Sequence, residues 1–454
     1  MPLFDSIQVN FFKYLGIGLK NLSKTTKKGN GTSFPGLIVE KNCPELVKLL
    51  AKNYKHIILI TGTNGKTTTR GIICHLLKNN GYKVCTNQGG ANILRGIVST
   101  LLSNLDFNNQ PKNNYLVLEV EEATMPILTK YLTPNQIILT NIFRDQMDAY
   151  GEINQTLEYF HTAINNSLTH NSDLEILVNG DDTKLTNFLN QKNYSNLIKY
   201  FGIDSDNQIQ YESPDEISEI DDHRIIKARC LSSDFANQVF ESTDKKYLLP
   251  ETTLNLSGAY NLYNAWSSIL AVKDILSAEQ IQESLPKFGA IFGRGEIINI
   301  QNKKITLFLV KNPAGFDQIL QTINQTNNET NQKSKKIGLV FSINDNVADG
   351  KDVSWLWDVN FEKYYLGLQT NFEKFVTSGS RGLDMLLRLE ITGFKNLTIQ
   401  DNYQSNSSDL LNYILNSNPD TVDWIICSTY TATLEIRNEI SKIVPLKSID
   451  SQEY

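Results

Sequence analysis

The run from His56 to Thr69 constrains the fold more than any other stretch. Ile57, Ile58, Leu59 and Ile60 read as a buried strand, and Gly71 to Leu77 read as a helix with an apolar face. Between them stand Gly62, Thr63, Asn64, Gly65, Lys66, Thr67 and Thr68. A strand, a glycine-containing turn, Lys-Thr and a helix form a phosphate-binding arrangement. Backbone N–H groups at a helix N-terminus attract phosphate oxygens, and glycines let the backbone come close. Lys66 is placed to bridge the β- and γ-phosphates of a nucleotide, and the Thr67 hydroxyl to hold Mg²⁺. A plain glycine turn explains the spacing but not Gly-Lys-Thr-Thr. The general phosphate-loop pattern carries a leading glycine where this chain has Ile60.

With 454 residues the chain has length for two or three domains. A net charge of −6 argues against a general nucleic-acid binder. Cys43, Cys74, Cys85, Cys230 and Cys427 are scattered without a CxxC pair, which fits free thiols in a reducing compartment and no zinc site. No apolar run reaches the ~20 residues that span a membrane, and the first residues do not read as a secretory signal. The expectation is a cytoplasmic protein. Residues 7–23 read as an amphipathic helix with lysines at its end. Packing on the body is its default role, and lying on an anionic membrane surface is the alternative. Gly29 to Gly36 reads as a loop.

From 55 to 150 the pattern alternates, with strands at 56–60, 83–86, 115–120 and 136–140 and helices between them. That predicts a parallel sheet wrapped by helices, with ligands at the carboxyl ends of its strands. A helix at 150–170 and a strand at 174–178 follow. Residues 203–250 are polar and acidic and read as an irregular excursion, and helices resume at 258–275 and 278–286. A boundary falls near Gly293-Arg294-Gly295-Glu296, dividing a domain at 1–296 from a second α/β domain at 297–454. The second contains strands at 305–310, 336–342, 372–377 and 422–427 and helices at 314–324, 381–390 and 407–416. The Asn-rich patch at 322–332 reads as surface loop.

Several constellations stand at strand ends. Glu119 closes the strand Tyr115 to Leu118, and Glu121 and Glu122 follow. A carboxylate there is placed to hold a hard cation, unless it belongs to a merely acidic loop. Asn141, Arg144, Asp145 and Asp148 follow another strand and suit phosphates, a metal or one another. Asn261 and Asn264 open a helix, where capping is the default and an adenine edge the alternative. Lys311 to Gly315 form a strand-to-helix turn. The loop Asn344 to Asp358 packs Asp345, Asp349, Asp352, Asp358, Trp355 and Trp357 together, and loops so decorated are usually functional. Cys427 has no elbow or histidine to activate it and reads as a buried thiol.

Together these residues resemble the Mur ligase family. Its phosphate loop reads Gly-Thr-x-Gly-Lys-Thr, as Gly62 to Thr67 does, without the extra leading glycine. Within that family the likeness is to the MurT branch. It is carried by Thr61 to Thr69, Gly90-Ala91-Asn92, Leu118 to Glu122, Asn141 with Phe143 to Asp148, Gly151-Glu152, Asn261 with Asn264-Ala265, Lys311 to Gly315, and Asn344 to Asp358. The last two runs are the specific ones. The resemblance implies a central ATPase-type domain followed by a smaller Rossmann-like one. It implies ATP-dependent amidation of the D-glutamate α-carboxylate of the lipid II stem peptide. The ammonia would come from a GatD-type glutaminase subunit. Thr67 and Glu119 are then implied as Mg²⁺ ligands, Asn141 and Arg294 near the phosphates, Asn261 near the adenine, and Asp352 as the carboxylate that completes the partner's Cys-His pair. Two departures stand out. Members of the branch often carry a four-cysteine zinc ribbon in mid-chain, whereas 190–255 holds only Cys230. The carbamoylated lysine of amino-acid-adding Mur ligases has no counterpart, because 145–166 contains no lysine. A stand-alone Mur-type or folylpolyglutamate-type ligase is the alternative enzyme, and a nucleotide-binding switch the alternative outside enzymes.

Overall fold

The structure is a computed structural model. It describes residues 34–446 apart from 44, 53, 89, 106–110, 144–151, 193, 195–196, 205–223, 234–236, 245–246, 257, 290–292, 330–335, 396 and 418–420. The helix expected at 7–23 and the run Arg144 to Asp148 lie outside the described residues.

Among the described residues, two sheets organise the chain. The first has nine strands, β1 (His56–Thr61), β2 (Val84–Thr86), β3 (Tyr115–Glu119), β4 (Gln136–Leu139), β5 (Glu175–Asn179), β6 (Ile198–Ile203), β7 (Ile225–Ser233), β8 (Gln238–Ser242) and β9 (Thr252–Leu254). Their order is β2-β3-β1-β4-β5-β6-β7-β8-β9, so β1 lies between β3 and β4. The pairs from β2 to β7 are parallel, and the last two pairs are antiparallel. The inner strands are apolar through their middles, as both faces of a parallel sheet require. Ile57, Leu59, Leu116 and Leu118 pack to one side with the helices Leu46–Ala51 and Leu94–Ser103. Ile58, Ile60 and Val117 pack to the other, under the helices Lys66–Asn79 and Ala259–Val272.

The second sheet holds β10 (Arg294–Ile300), β11 (Lys303–Leu309), β12 (Lys336–Ser342), β13 (Lys374–Ser378), β14 (Tyr403–Gln404) and β15 (Thr421–Ser428), in the order β10-β11-β15-β12-β13-β14. Only β10 runs antiparallel to its neighbour. The two sheets and their helices give the expected α/β class.

Three expectations are corrected. Residues 203–250 are not simply an irregular excursion: β7, β8 and the approach to β9 extend the first sheet, with Ala228, Phe240 and Leu249 buried. A parallel β6–β7 pair needs a crossover of a dozen or more residues, and the acidic stretch between them supplies that length. The loop expected to run to Gly36 ends earlier, because the helix Phe34–Asn42 has begun, and Gly36 N–H donates to Ser99 Oγ at 3.0 Å. The Asn-rich patch is mostly not loop, since the helix Pro313–Glu329 runs through it.

Candidate functional site: a phosphate loop at the seam of two sheets

The loop between β1 and the helix Lys66–Asn79 reverses at Gly65, whose φ of 90° is a left-handed conformation open to glycine. The close approach is equally demanding: a Cβ on Gly65 would lie 2.2 Å from Asn264 Oδ1. The first turn of the helix has no preceding carbonyls to accept its N–H groups, so those donors face the loop's concavity. Thr67, half-buried, stands in this turn.

Four neighbouring segments fix the loop. From the end of β4, Asn141 accepts from Asn64 N–H at 2.9 Å and donates to Asn64 O at 3.1 Å. Thr140 Oγ1 donates to the same carbonyl at 2.8 Å. From the helix Ala259–Val272, Asn264 packs on Gly65 and accepts from Thr69 Oγ1 at 3.4 Å. From the second sheet, Asn312 Nδ2 donates to Asn64 Oδ1 at 3.2 Å, while its own Oδ1 accepts from Gly315 N–H at 2.8 Å. The turn Lys311–Gly315 after β11 therefore touches the phosphate loop, and the site lies at the seam between the sheets. From the turn after β3, Glu122 pairs with Lys66 Nζ at 2.7 Å. Lys66 also donates to Gly62 O at 2.6 Å. Burial raises the Glu122 carboxyl above its ordinary value, and the adjacent Lys66 ammonium opposes that rise.

Glu119 ends β3 beside Ile60 of β1. It is buried, and its Oε2 accepts from Arg70 Nε at 3.2 Å. Arg70 also donates to Asn87 O and Thr86 Oγ1, and Asn87 braces the Glu119 backbone through two further bonds. Arg294, at the start of β10, lies close enough to feel the charges of Glu119 and Arg70, and its burial lowers its affinity for a proton. Asn261 is buried in the first turn of the helix Ala259–Val272, next to Asn264.

These residues fit a nucleotide and a hard cation. Asn64 Nδ2 is a buried donor with no hydrogen-bond partner at the loop, which suits an anionic ligand. The Thr67 hydroxyl and the second Glu119 oxygen are hard donors of the kind Mg²⁺ takes.

The structure thus brings together Gly62 to Thr68, Lys66, Thr67, Glu119, Asn141, Asn261 and Arg294, and it sets Asp352 apart in the loop after β12. Asp352 is exposed, and its Oδ1 accepts from Ser354 N–H at 2.8 Å. Bonds from Ser354 hold its carboxyl below the usual carboxylate value. Asp349 is tied down instead: its two oxygens accept from Thr431 N–H at 2.8 Å and from the Thr431 hydroxyl. Trp355 is buried among Phe316 and its neighbours, bracing the loop from within. Trp357 is 49% exposed and lies over the Arg388 guanidinium. Cys427 is fully buried, and burial pushes its thiol far up, as an inert thiol requires.

The sequence reading missed Arg70, Asn264's contact with Gly65, and the Lys66–Glu122 pair. Glu122 stood in a flagged acidic run, so its type was visible and its partner was not.

Among the described residues no helix is long and apolar enough to cross a membrane. A family model described as Mur ligase middle domain matches residues 60–272, and one described as MurT ligase C-terminal matches residues 309–433. The chain is 31% identical over 440 residues to a protein of Streptococcus pneumoniae (strain ATCC BAA-255 / R6), covering 91% of this chain and 93% of that one. It is 29% identical over 405 residues to one of Staphylococcus aureus (strain COL), covering 82% and 86%. Both are named lipid II isoglutaminyl synthase (glutamine-hydrolyzing) subunit MurT. In fold the chain is similar to the MurF ligase of Thermotoga maritima solved in complex with ADP, with a TM-score of 0.60, 15% identity, and coverage of 88% of this chain and 82% of that one.

Proposed function

Because the chain belongs to the MurT family of Mur-type ligases, we propose that it is the ATP-dependent synthetase subunit that amidates the D-glutamate α-carboxylate of the lipid II stem peptide. The product is D-isoglutamine, and a GatD-type glutaminase subunit supplies the ammonia. We further propose that the chain works in the cytoplasm and divides into domains at 1–296 and 297–454.

The observation that supports this reading most is the contact between Asn64 of the phosphate loop and Asn312 of the second sheet. A nucleotide held by Lys66 would then lie beside both sheets, with the turn after β11 within reach of it. A carboxylate is a poor electrophile. Transfer of the γ-phosphoryl group to its oxygen makes an acyl phosphate and ADP. The nitrogen lone pair of ammonia then attacks the carbonyl carbon. The carbon–oxygen bond to phosphate breaks, phosphate leaves with that electron pair, and the nitrogen gives up a proton.

The chain's own residues have defined parts in this. The loop N–H groups and Lys66 hold the β- and γ-phosphates and meet the charge that develops on the moving group. Thr67 and Glu119 would hold Mg²⁺, which when bound withdraws charge from the phosphoryl oxygens. Arg70 keeps the buried Glu119 carboxylate fixed. Asn141 shapes the loop through Asn64, and Asn261 and Arg294 border the site. The missing lysine in 145–166 supports ammonia over an amino acid as acceptor.

Asp352, exposed on a braced loop, serves to orient the histidine of the partner's Cys-His pair. A second candidate for that task is Asp349. Its carboxylate is tied to Thr431 of a different segment, whereas Asp352 is held only by its near neighbour Ser354. The decisive assay supplies lipid II, ATP and ammonium ions to the purified chain and measures phosphate and D-isoglutamine. Matched formation of both is expected. ATP turnover without amide, or amide only when an amino acid is supplied, would overturn the reading.

A further inference from the structure

If Glu119 holds Mg²⁺ as proposed, the cation already paired with that carboxylate matters to the metal as well. Arg70 stands one turn beyond Lys66 on the same helix, so the two basic side chains share a face. Arg70 is 1% exposed and the Glu119 side chain 3%, and Arg70 Nε donates to Glu119 Oε2 at 3.2 Å. A carboxylate buried so deeply needs a counter-charge, because breaking such a pair strands the charge left behind. Arg70 supplies it on one oxygen and leaves the other for a metal.

The guanidinium is also held from its far side. Its Nη1 donates to Thr86 Oγ1 at 3.1 Å and to Asn87 O. Asn87 in turn donates to Glu119 O at 2.9 Å and accepts from Glu119 N–H at 3.1 Å. Carboxylate and guanidinium are thus anchored to the same residue and form one rigid unit. The surrounding charges are balanced too. Lys66 meets Glu122, and Asn92 Nδ2 donates to Glu121 Oε2 at 2.9 Å. Arg294 is a further cation, near enough for its charge to act on both Glu119 and Arg70. These groups leave little net negative charge to hold a bare divalent cation. The β- and γ-phosphates of a nucleotide bring that charge with them.

We propose that Arg70 is a positioning residue that makes the metal site conditional on nucleotide: by sharing Glu119 it keeps a bare divalent cation from settling there and admits the ion together with the phosphates. Metal and nucleotide then bind as one unit, and the phosphate loop is not primed by metal alone to attract other anions.

The test titrates Mn²⁺ into the nucleotide-free protein and follows the free ion by electron paramagnetic resonance. Wild type, Arg70→Met, Arg70→Lys and Glu119→Gln are compared, each with its fold checked by circular dichroism. Arg70→Met removes the charge, and it should bind nucleotide-free Mn²⁺ roughly tenfold tighter than wild type or more. Arg70→Lys keeps the charge and should stay near wild type. The gain should vanish when Arg70→Met is combined with Glu119→Gln. No gain in Arg70→Met, or an equal gain in Arg70→Lys, overturns the proposal. Should Arg70→Met fail to fold, the wild type decides. Wild-type protein that takes up Mn²⁺ as tightly without nucleotide as with a non-hydrolysable ATP analogue, at a site lost in Glu119→Gln, overturns it. Uptake at that site only with the analogue upholds it. If Glu119→Gln leaves both the analogue-dependent uptake and amidation at wild-type levels, the metal role of Glu119 itself falls. No result on Arg70 alone gives that outcome, so the two failures are distinct.

Discussion

The phosphate loop and the Asp349–Asp352 loop occupy equivalent places, each following a central strand at the carboxyl edge of its sheet, yet they are built differently. The phosphate loop is held from four directions by Asn141, Asn264, Asn312 and Glu122. The second loop is held along its inner side, by Thr431, by Ser380 and by the core beneath it, and its outer side is left open. Asn344, Asn346 and Asp349 bond toward Thr431, Asp345 bonds to Ser380, and Trp355 is buried beneath, while Val347, Asp352 and Trp357 are exposed. A site enclosed by its own chain does its chemistry there. A site braced on one side offers the other to a second molecule. The comparison teaches that nucleotide chemistry and nitrogen supply should respond separately to mutation.

The largest expected effect is on Lys66. Lys66→Ala should leave the fold intact and abolish amidation from either nitrogen source, a loss on the order of 3 kcal/mol or more in transition-state stabilisation. Near-normal rates with ammonium ions would break the comparison, because the enclosed site would then not be the site of phosphoryl transfer. Next come Asp352→Asn and Asp349→Asn. The orienting carboxylate should be the one whose loss suppresses glutamine-driven amidation by roughly 2–3 kcal/mol, the scale of a hydrogen bond to a charged group. Ammonium-driven amidation should be spared. Asp349→Asn should also lower thermal stability through Thr431, which Asp352→Asn should not. Equal failure with both nitrogen sources would place either residue in the synthetase site.

Gly65→Ala tests the enclosure itself. The side chain would enter a left-handed conformation and meet Asn264 Oδ1. Strain of this type costs about 1–3 kcal/mol, read as a lower midpoint in urea denaturation. An unchanged midpoint would mean that the helix Ala259–Val272 does not press on the loop.

How much of this was legible depends on where the cause lies. β1, the phosphate loop and the helix after it were read from local pattern, because the apolar run, the glycines and the helical period sit within one short window. β12 and the helix Ser407–Asn416 were read within their observed bounds for the same reason. β7 was lost because few of its residues are buried, so it shows no sustained apolar period. The helix Tyr430–Ser441 was lost because Thr433 and Arg437 take core-facing positions that apolar residues usually fill. In the site, residue types at strand ends were visible, whereas partners were not. Lys66 meets Glu122 and Asn64 meets Asn312 only because strand order brings distant segments together, and strand order is not written in local period.

The smallest expected effect sharpens the comparison most finely. Glu122 and Lys66 are both largely buried, and their pair at 2.7 Å fixes one proton of the ammonium while Gly62 O fixes another. Thr63 O accepts more weakly from the same ammonium at 3.4 Å, so the two shorter contacts set its position and the third is the one a phosphate oxygen would displace. Glu122→Gln keeps the shape and one acceptor but removes the charge. The expected loss is roughly 1 kcal/mol, at the lower end for a charge-assisted hydrogen bond, and should appear in the KM for ATP more than in kcat. The pH dependence gives an independent readout. Burial holds the Glu122 carboxyl above its ordinary value, so on acidification it takes up a proton before a typical glutamate does. Lys66 then loses its ionic partner, and the wild-type KM for ATP should rise as the pH falls toward the usual carboxylate range. The Gln variant has no such group, and its KM should stay flat over the same range. Parallel profiles for the two proteins would show that Glu122 shapes the turn after β3 without tuning Lys66, and the enclosure of the phosphate loop would rest on Asn141, Asn264 and Asn312 alone.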